Sequence, residues 1–158
     1  MTESATSPEL YFEDLRVGHR YMSGRYAVSE SQILAFAREF DPQPLHLDPV
    51  AARAGALGGL SASGWHTAAI TMRLTADGPL HLAGGTVGLG AELRWHKPTR
   101  PGDVLHLESE IVELRLSRSN PDRGVVRVRM ETLTEAGVLL QTLTATLLVP
   151  TRATQAKG

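Results

Sequence analysis

The chain has 158 residues, no cysteine, and 16 basic against 17 acidic side chains, a formal net charge of −1. That length carries one well-buried core and not two comfortable domains. The interspersed charges argue against a nucleic-acid footprint or a polybasic membrane patch, and the missing thiols exclude disulfides, thiolate metal sites and cysteine nucleophiles. No apolar run approaches a membrane span, and the polar residues 1–8 lack the apolar centre of a signal peptide. A cytoplasmic protein is the expectation.

In chain order, residues 1–9 and 151–158 are small and polar, and are expected to be loosely held flanks of one domain over residues 10–150. Residues 11–18 read as a lead-in with a turn at Val17-Gly18. Tyr26 and Val28 alternate in a short first strand over residues 23–28. Ser29 with Gln32 three positions later has the form of a capping box. Ile33, Phe36, Ala37 and Phe40 follow at helical spacing, and Pro42 stops that helix near Phe40. Asp48-Pro49 caps a short helix to about Ala54, broken by Gly55 and Gly58-Gly59. Residues 62–76 are small and weakly polar nearly all round, with Arg73 the one formal charge. Such a helix is expected to be buried on most of its surface.

From Gly84 the period changes from helix to strand. Val87, Leu89, Ala91, Leu93 and Trp95 alternate with polar or small residues, and Pro98, Pro101 and Gly102-Asp103 mark a turn. Leu105, Leu107 and Ile111 share a face of the next strand. After a loop over residues 117–124, Val126, Val128 and Met130 alternate, Glu135-Ala136-Gly137 turns, and residues 138–149 form the last strand. Four long half-buried strands in meander order predict an antiparallel sheet with one wet face. One central helix wrapped by one curved antiparallel sheet is an α+β layout, in the element order of a hot-dog fold. Pairing a sheet edge with a second copy is one way to manage it.

The chemistry concentrates between Phe40 and Leu47. Asp41 and His46 lie five positions apart, in a segment that Pro42 and Pro44 are expected to keep extended rather than helical. A stiff loop of this kind can turn a carboxylate and an imidazole toward one bound water, as proton transfer requires. A plain polar turn after a helix has the same composition. No His, Asp or Glu set has a recognised metal spacing, so no metal is expected. Gly84-Gly85, Gly88 and Gly90 are not followed by a helix and read as glycines of a bent strand rather than a nucleotide loop.

The run Asp41-Pro42-Gln43-Pro44-Leu45-His46, after a helix and before a Gly-Gly segment and a second helix, resembles the hydratase motif of the MaoC-like (R)-specific enoyl-CoA hydratases. Gly58-Gly59-Leu60 and Ser63-Gly64 match the segment leading into the family's central helix. Gly88-Leu89-Gly90-Ala91-Glu92 and the turn from Lys97 to Asp103 match two further family stretches. The likeness runs from about Phe12 to about Pro150. It implies a hot-dog fold, a homodimer or higher homo-oligomer with its site near the subunit boundary, and no cofactor. The implied reaction is reversible addition of water to a trans-2-enoyl thioester, with a coenzyme A-type thioester as substrate. Asp41 and His46 would be the catalytic pair. Gly64, with its backbone amide at a helix start, would meet the thioester oxygen, and Ser63, Trp65 and His66 would flank the substrate.

Three positions depart from the family pattern: Phe40 for the usual Gly, Gln43 for Asn, and Ser63 for His. On residue type alone, His66 reads more readily as a core histidine with one satisfied hydrogen bond, and Trp65 as packing or a pocket wall. Arg94, Lys97, Arg100, Arg118 and Arg123 are candidates to meet the phosphates of the thioester carrier. A hot-dog thioesterase and a non-catalytic acyl-thioester binding protein are the alternative functions.

Overall fold

The computed structural model describes residues 7–156, the side chain of Thr154 excepted, so part of each expected flank lies outside the described residues. A 3₁₀ turn at Phe12–Asp14 leads into β1 (Arg20–Ala27) and then α1 (Glu30–Phe40). Ser29 caps α1 as its sequence requires: the Gln32 N–H donates to Ser29 Oγ, and the Ser29 N–H donates to Gln32 Oε1. Two short helices follow, α2 (Pro44–Leu47) and α3 (Pro49–Arg53), then the central α4 (Gly64–Ala76). The remainder is β2 (Val87–Trp95), β3 (Val104–Leu116), β4 (Arg123–Thr134), β5 (Leu139–Pro150) and a final turn, α5 (Arg152–Gln155).

All five strands form one antiparallel sheet in the order β1-β3-β4-β5-β2. The order corrects the expected meander at one strand. β3, β4 and β5 follow each other through hairpins, whereas β2 crosses to the far edge and pairs only with β5. The central strands show the alternation that half-burial demands: Leu105, Leu107 and Ile111 on β3, with Val126, Val128 and Met130 on β4, face α4. Ile70 and Leu74 of α4 and Ile33 of α1 complete the same core. Gly88 and Gly90 flank a register shift in β2, the bent strand expected there.

Three further expectations need correction. Pro44–Leu47 is a single helical turn rather than extended chain, because proline at the first helical position needs no N–H partner. α4 is buried on one face only; Trp65 is 62% exposed and Met72 44%, since nothing in one copy covers the side away from the sheet. Val87 and Leu89 on β2 are likewise exposed, and Phe40 lies beyond the core, packed on Phe36 at a centroid distance of 5.0 Å. The described part of the C-terminal flank is also tied down. Thr151 is buried, and Arg152 bonds both carboxylate oxygens of Asp14 at 2.7 Å.

The loop between α3 and α4 is pinned by one side chain. Arg100 Nη1 donates to the carbonyls of Gly59 and Leu60, and Nη2 to that of Leu57. Ala62 N–H donates to Thr99 O at 2.9 Å, so the turn before β3 and the lead-in to α4 are stitched together. Arg100 thus spans three backbone carbonyls of the loop. Arg100→Lys, which retains the charge and loses the planar fork, should cost on the order of 1–2 kcal/mol in urea unfolding. Limited proteolysis should show faster cleavage within residues 55–60.

Candidate active site

Asp41 and His46 are brought together by the ends of two helices. The Asp41 N–H donates to Ala37 O at 3.0 Å, so Asp41 caps the last turn of α1, and Pro42 forces the chain out of that helix. α2 then starts at Pro44 and turns His46 back inward, where it is buried. His46 Nδ1 lies 2.7 Å from the carbonyl oxygen of Ser61. A carbonyl only accepts, so Nδ1 carries the proton, and in the neutral ring Nε2 holds a lone pair. Nε2 faces Asp41 Oδ2 at 3.3 Å.

The carboxylate is held on both oxygens. Gln43 Nε2 donates to Asp41 Oδ1 at 2.5 Å, and Ser63 Oγ donates to Oδ2 at 2.6 Å. These two hydrogen bonds, with a smaller contribution from His46, hold the Asp41 carboxyl below the usual carboxylate range against the opposing effect of burial. Ser63 also caps α4, its oxygen accepting the Trp65 N–H at 3.3 Å. The amides of His66 and Thr67 return to Ser63 O, while the Gly64 N–H has no acceptor among the described residues.

A cavity of about 390 Å³ opens beside the pair, with Leu57, Trp65, Trp95 and Pro98 as walls and Lys97 at its border. A larger open depression of about 720 Å³, along the turn before β3, contains neither Asp41 nor His46. Gly64 lines the cavity, and its missing side chain is used by Trp95: a Cβ there would stand 2.4 Å from the indole ring. The absent side chain thus makes room for the indole on the Cβ side of Gly64. Trp95 Nε1 donates to Gly64 O and to Gln141 Oε1 at 3.0 Å each, and Trp65 meets its ring edge-on at 5.3 Å.

Of the residues singled out from sequence, Asp41, His46, Ser63, Gly64 and Trp65 converge here. His66 does not line the cavity. It is buried and stacks on Phe36 at 4.7 Å, burial pushes its pKa down, and its Nδ1 has no partner. Among the described residues no three His, Asp or Glu side chains cluster as metal ligands, and no helix is long and apolar enough to cross a membrane. Sequence reasoning missed Trp95 and Gln141 as members of the site. The alternation of β2 put Trp95 on an inward face, but nothing in the pattern joins a strand end to a helix start 31 residues earlier.

The fold has known counterparts. The MaoC like domain model matches residues 16–135. A MaoC-like dehydratase from Rhodospirillum rubrum superimposes with a TM-score of 0.88 at 51% identity, covering 90% of this chain and 97% of that one. The (R)-hydratase PhaJ1 from Pseudomonas aeruginosa, in its unliganded form, has a TM-score of 0.70 at 26% identity, over 90% of this chain and 87% of that one. Uncharacterized protein YdeM of Bacillus subtilis (strain 168) is 29% identical over 129 residues, 80% of this chain and 89% of YdeM. The molecule is a hot-dog protein of the dehydratase and hydratase type. It belongs to the MaoC-like family.

Both shifted groups near the site make the fold acid-sensitive with the same sign. A lowered pKa in the folded state means that the unfolded chain binds more protons, so stability falls as the pH falls. The His66 contribution is present above its ordinary value of 6.5 and is lost as the pH drops through the lowered folded value. That of Asp41 is present above 3.8 and is lost below it in the same way. Urea midpoints should therefore decrease from pH 7.5 to pH 5, and His66→Met should flatten that decrease. An equal slope in the variant would remove His66 as the cause.

Proposed function

We propose that the chain is a hydro-lyase that reversibly adds water to a trans-2-enoyl thioester, with Asp41 and His46 as the catalytic pair. The observation that carries this reading is the fixed tautomer of His46 beside a carboxylate whose two oxygens are already bonded. Asp41 stays anionic and orients a water; His46 Nε2 takes the water proton as the oxygen bonds to C3. The electrons of the double bond move onto C2 and the thioester carbonyl. The Gly64 N–H, unpaired at the start of α4, meets the developing enolate oxygen. The imidazolium, facing Asp41, then returns its proton to C2 on the same face. Hydroxyl and hydrogen are added, and the pair is restored. Kinship with a dehydratase and an (R)-hydratase favours this over thioester hydrolysis.

Crotonyl-CoA should lose its enoyl-thioester absorbance with the wild type. Asp41→Asn and His46→Ala should each reduce kcat/KM by about 10²-fold or more, the usual size of a lost general acid or base. Ser63→Ala should fall between them and the wild type, since it removes one of two bonds to the carboxylate. Release of free thiol would identify a thioesterase instead. Saturable binding without turnover, unchanged in Asp41→Asn, would identify a binding protein.

We further propose that the working unit is a homodimer. Trp65 and Met72 on α4 leave an apolar face, and Val87 and Leu89 lie on β2, whose outer edge is unpaired in one copy. A second copy covers both and closes the open side of the cavity. Light scattering should give twice 17.1 kDa. Leu89→Arg should shift the mass toward one copy and take the activity with it; a fully active single copy would reject the dimer.

A further inference from the structure

Beneath the cavity a row of side chains runs across three strands. Trp95 on β2 stands opposite Gln141 on β5, and Gln141 stands opposite Thr132 on β4. Gln141 and Thr132 are completely buried. The Trp95 indole N–H is shared between Gln141 Oε1 and Gly64 O. Gln141 Nε2 donates to Thr71 Oγ1 at 2.9 Å, and Thr71 meets Thr132 at 2.6 Å. A buried amide at such a position is costly unless it is bonded at both ends. Here it is bonded at both, and the partner of its carbonyl is the wall of the cavity.

Trp95 needs such a hold. The residue is 46% exposed, and its ring rests on the bare backbone of Gly64 and meets Trp65 edge-on. Packing on one side leaves rotation about the side-chain bonds open, and a rotated indole would take up space beside Asp41 and His46. Two acceptors on different elements, one at the start of α4 and one on β5, fix that rotation. Gln141 does not itself line the cavity, so its influence on a ligand passes through Trp95.

We infer that Gln141 is a positioning residue that fixes the Trp95 wall of the cavity and thereby sets which acyl groups the site admits. The ligand class rests on the acyl-thioester reading above; the hold on the ring does not.

The protein has two tryptophans, so Trp65→Phe leaves Trp95 as the sole indole emitter. In that background Gln141→Met, similar in length and without the amide, should shift the Trp95 emission maximum and lower its anisotropy. With Trp65 retained, Gln141→Met should change the kcat/KM ratio of branched or longer enoyl-CoAs to crotonyl-CoA by about fivefold, the size of one neutral hydrogen bond, carried in KM. Trp95→Phe, which keeps a ring and loses the N–H, should produce the same change, and the double variant no more than either. It also reads the same bond from the other side if Gln141→Met fails to fold. Saturated acyl-CoAs, which cannot be hydrated, should give the same ranking by fluorescence titration, so absent turnover tells against the hydratase reading alone. Unchanged Trp95 emission in Gln141→Met, or selectivity effects that add in the double variant, overturns the inference. So does a lowered Tm with emission and selectivity intact.

Discussion

Four consecutive residues, Ser61 to Gly64, hold every part of the site to every other. The carbonyl of Ser61 fixes the His46 ring, and the amide of Ala62 bonds the turn before β3. The hydroxyl of Ser63 holds Asp41, and the carbonyl of Gly64 holds Trp95. Ser61 to Ser63 have no regular structure of their own, and with Gly64 at the start of α4 they bond neighbours from α1, α2, β2 and the 97–103 turn. The far end of the segment is anchored because Ser63 is also the cap of α4. Moving any one of these bonds moves the carboxylate, the imidazole or the cavity wall relative to the other two. For chemistry that depends on placement to a few tenths of an ångström, this is the constraint that matters most.

Two departures from the family pattern acquire a physical meaning in that frame. Gln43 and Ser63 are the two donors on the oxygens of Asp41. Both bonds favour the charged form of the carboxylate, and together they account for the lowered pKa of Asp41. The third, Phe40, has a different consequence. At 64% exposure it lies on Phe36, which in turn stacks on His66. It extends an aromatic column away from the core instead of entering the site.

Much of this was legible in the chain because local rules and global fold agree. The capping box at Ser29 and the alternation of β3 and β4 follow from spacing alone, whereas the Asp41–His46 pair stood out from a polar turn through its resemblance to a family motif. What escaped were relations between distant residues. The place of β2 beside β5 is set by where a crossover lands, and strand periodicity carries no information about neighbours. The one-turn helix at Pro44 escaped because proline breaks a helix in its interior and starts one at its first position. The open faces of α4 and β2 read as core because their composition is that of core. In one copy of the fold, Trp65, Met72, Val87 and Leu89 nevertheless stay exposed.

The underside of α4 shows why its sequence is threonine-rich rather than leucine-rich. Thr67, Thr71 and Thr75 recur every fourth residue along the face that lies on the sheet, bonded to Thr99, to Thr132 and Gln141, and to Met130. Thr71 and Thr75 also return bonds to the backbone one turn earlier. Apolar side chains there would hold the helix with less directional preference, since burial is nearly indifferent to a small slide or rotation. Hydrogen bonds in a dry interior are not indifferent: a slide of one ångström leaves several buried groups unpaired. The polar stripe therefore trades some apolar burial for a single register of helix on sheet. That register decides where Ser63 and Gly64 lie, and through them where Asp41, His46 and Trp95 stand.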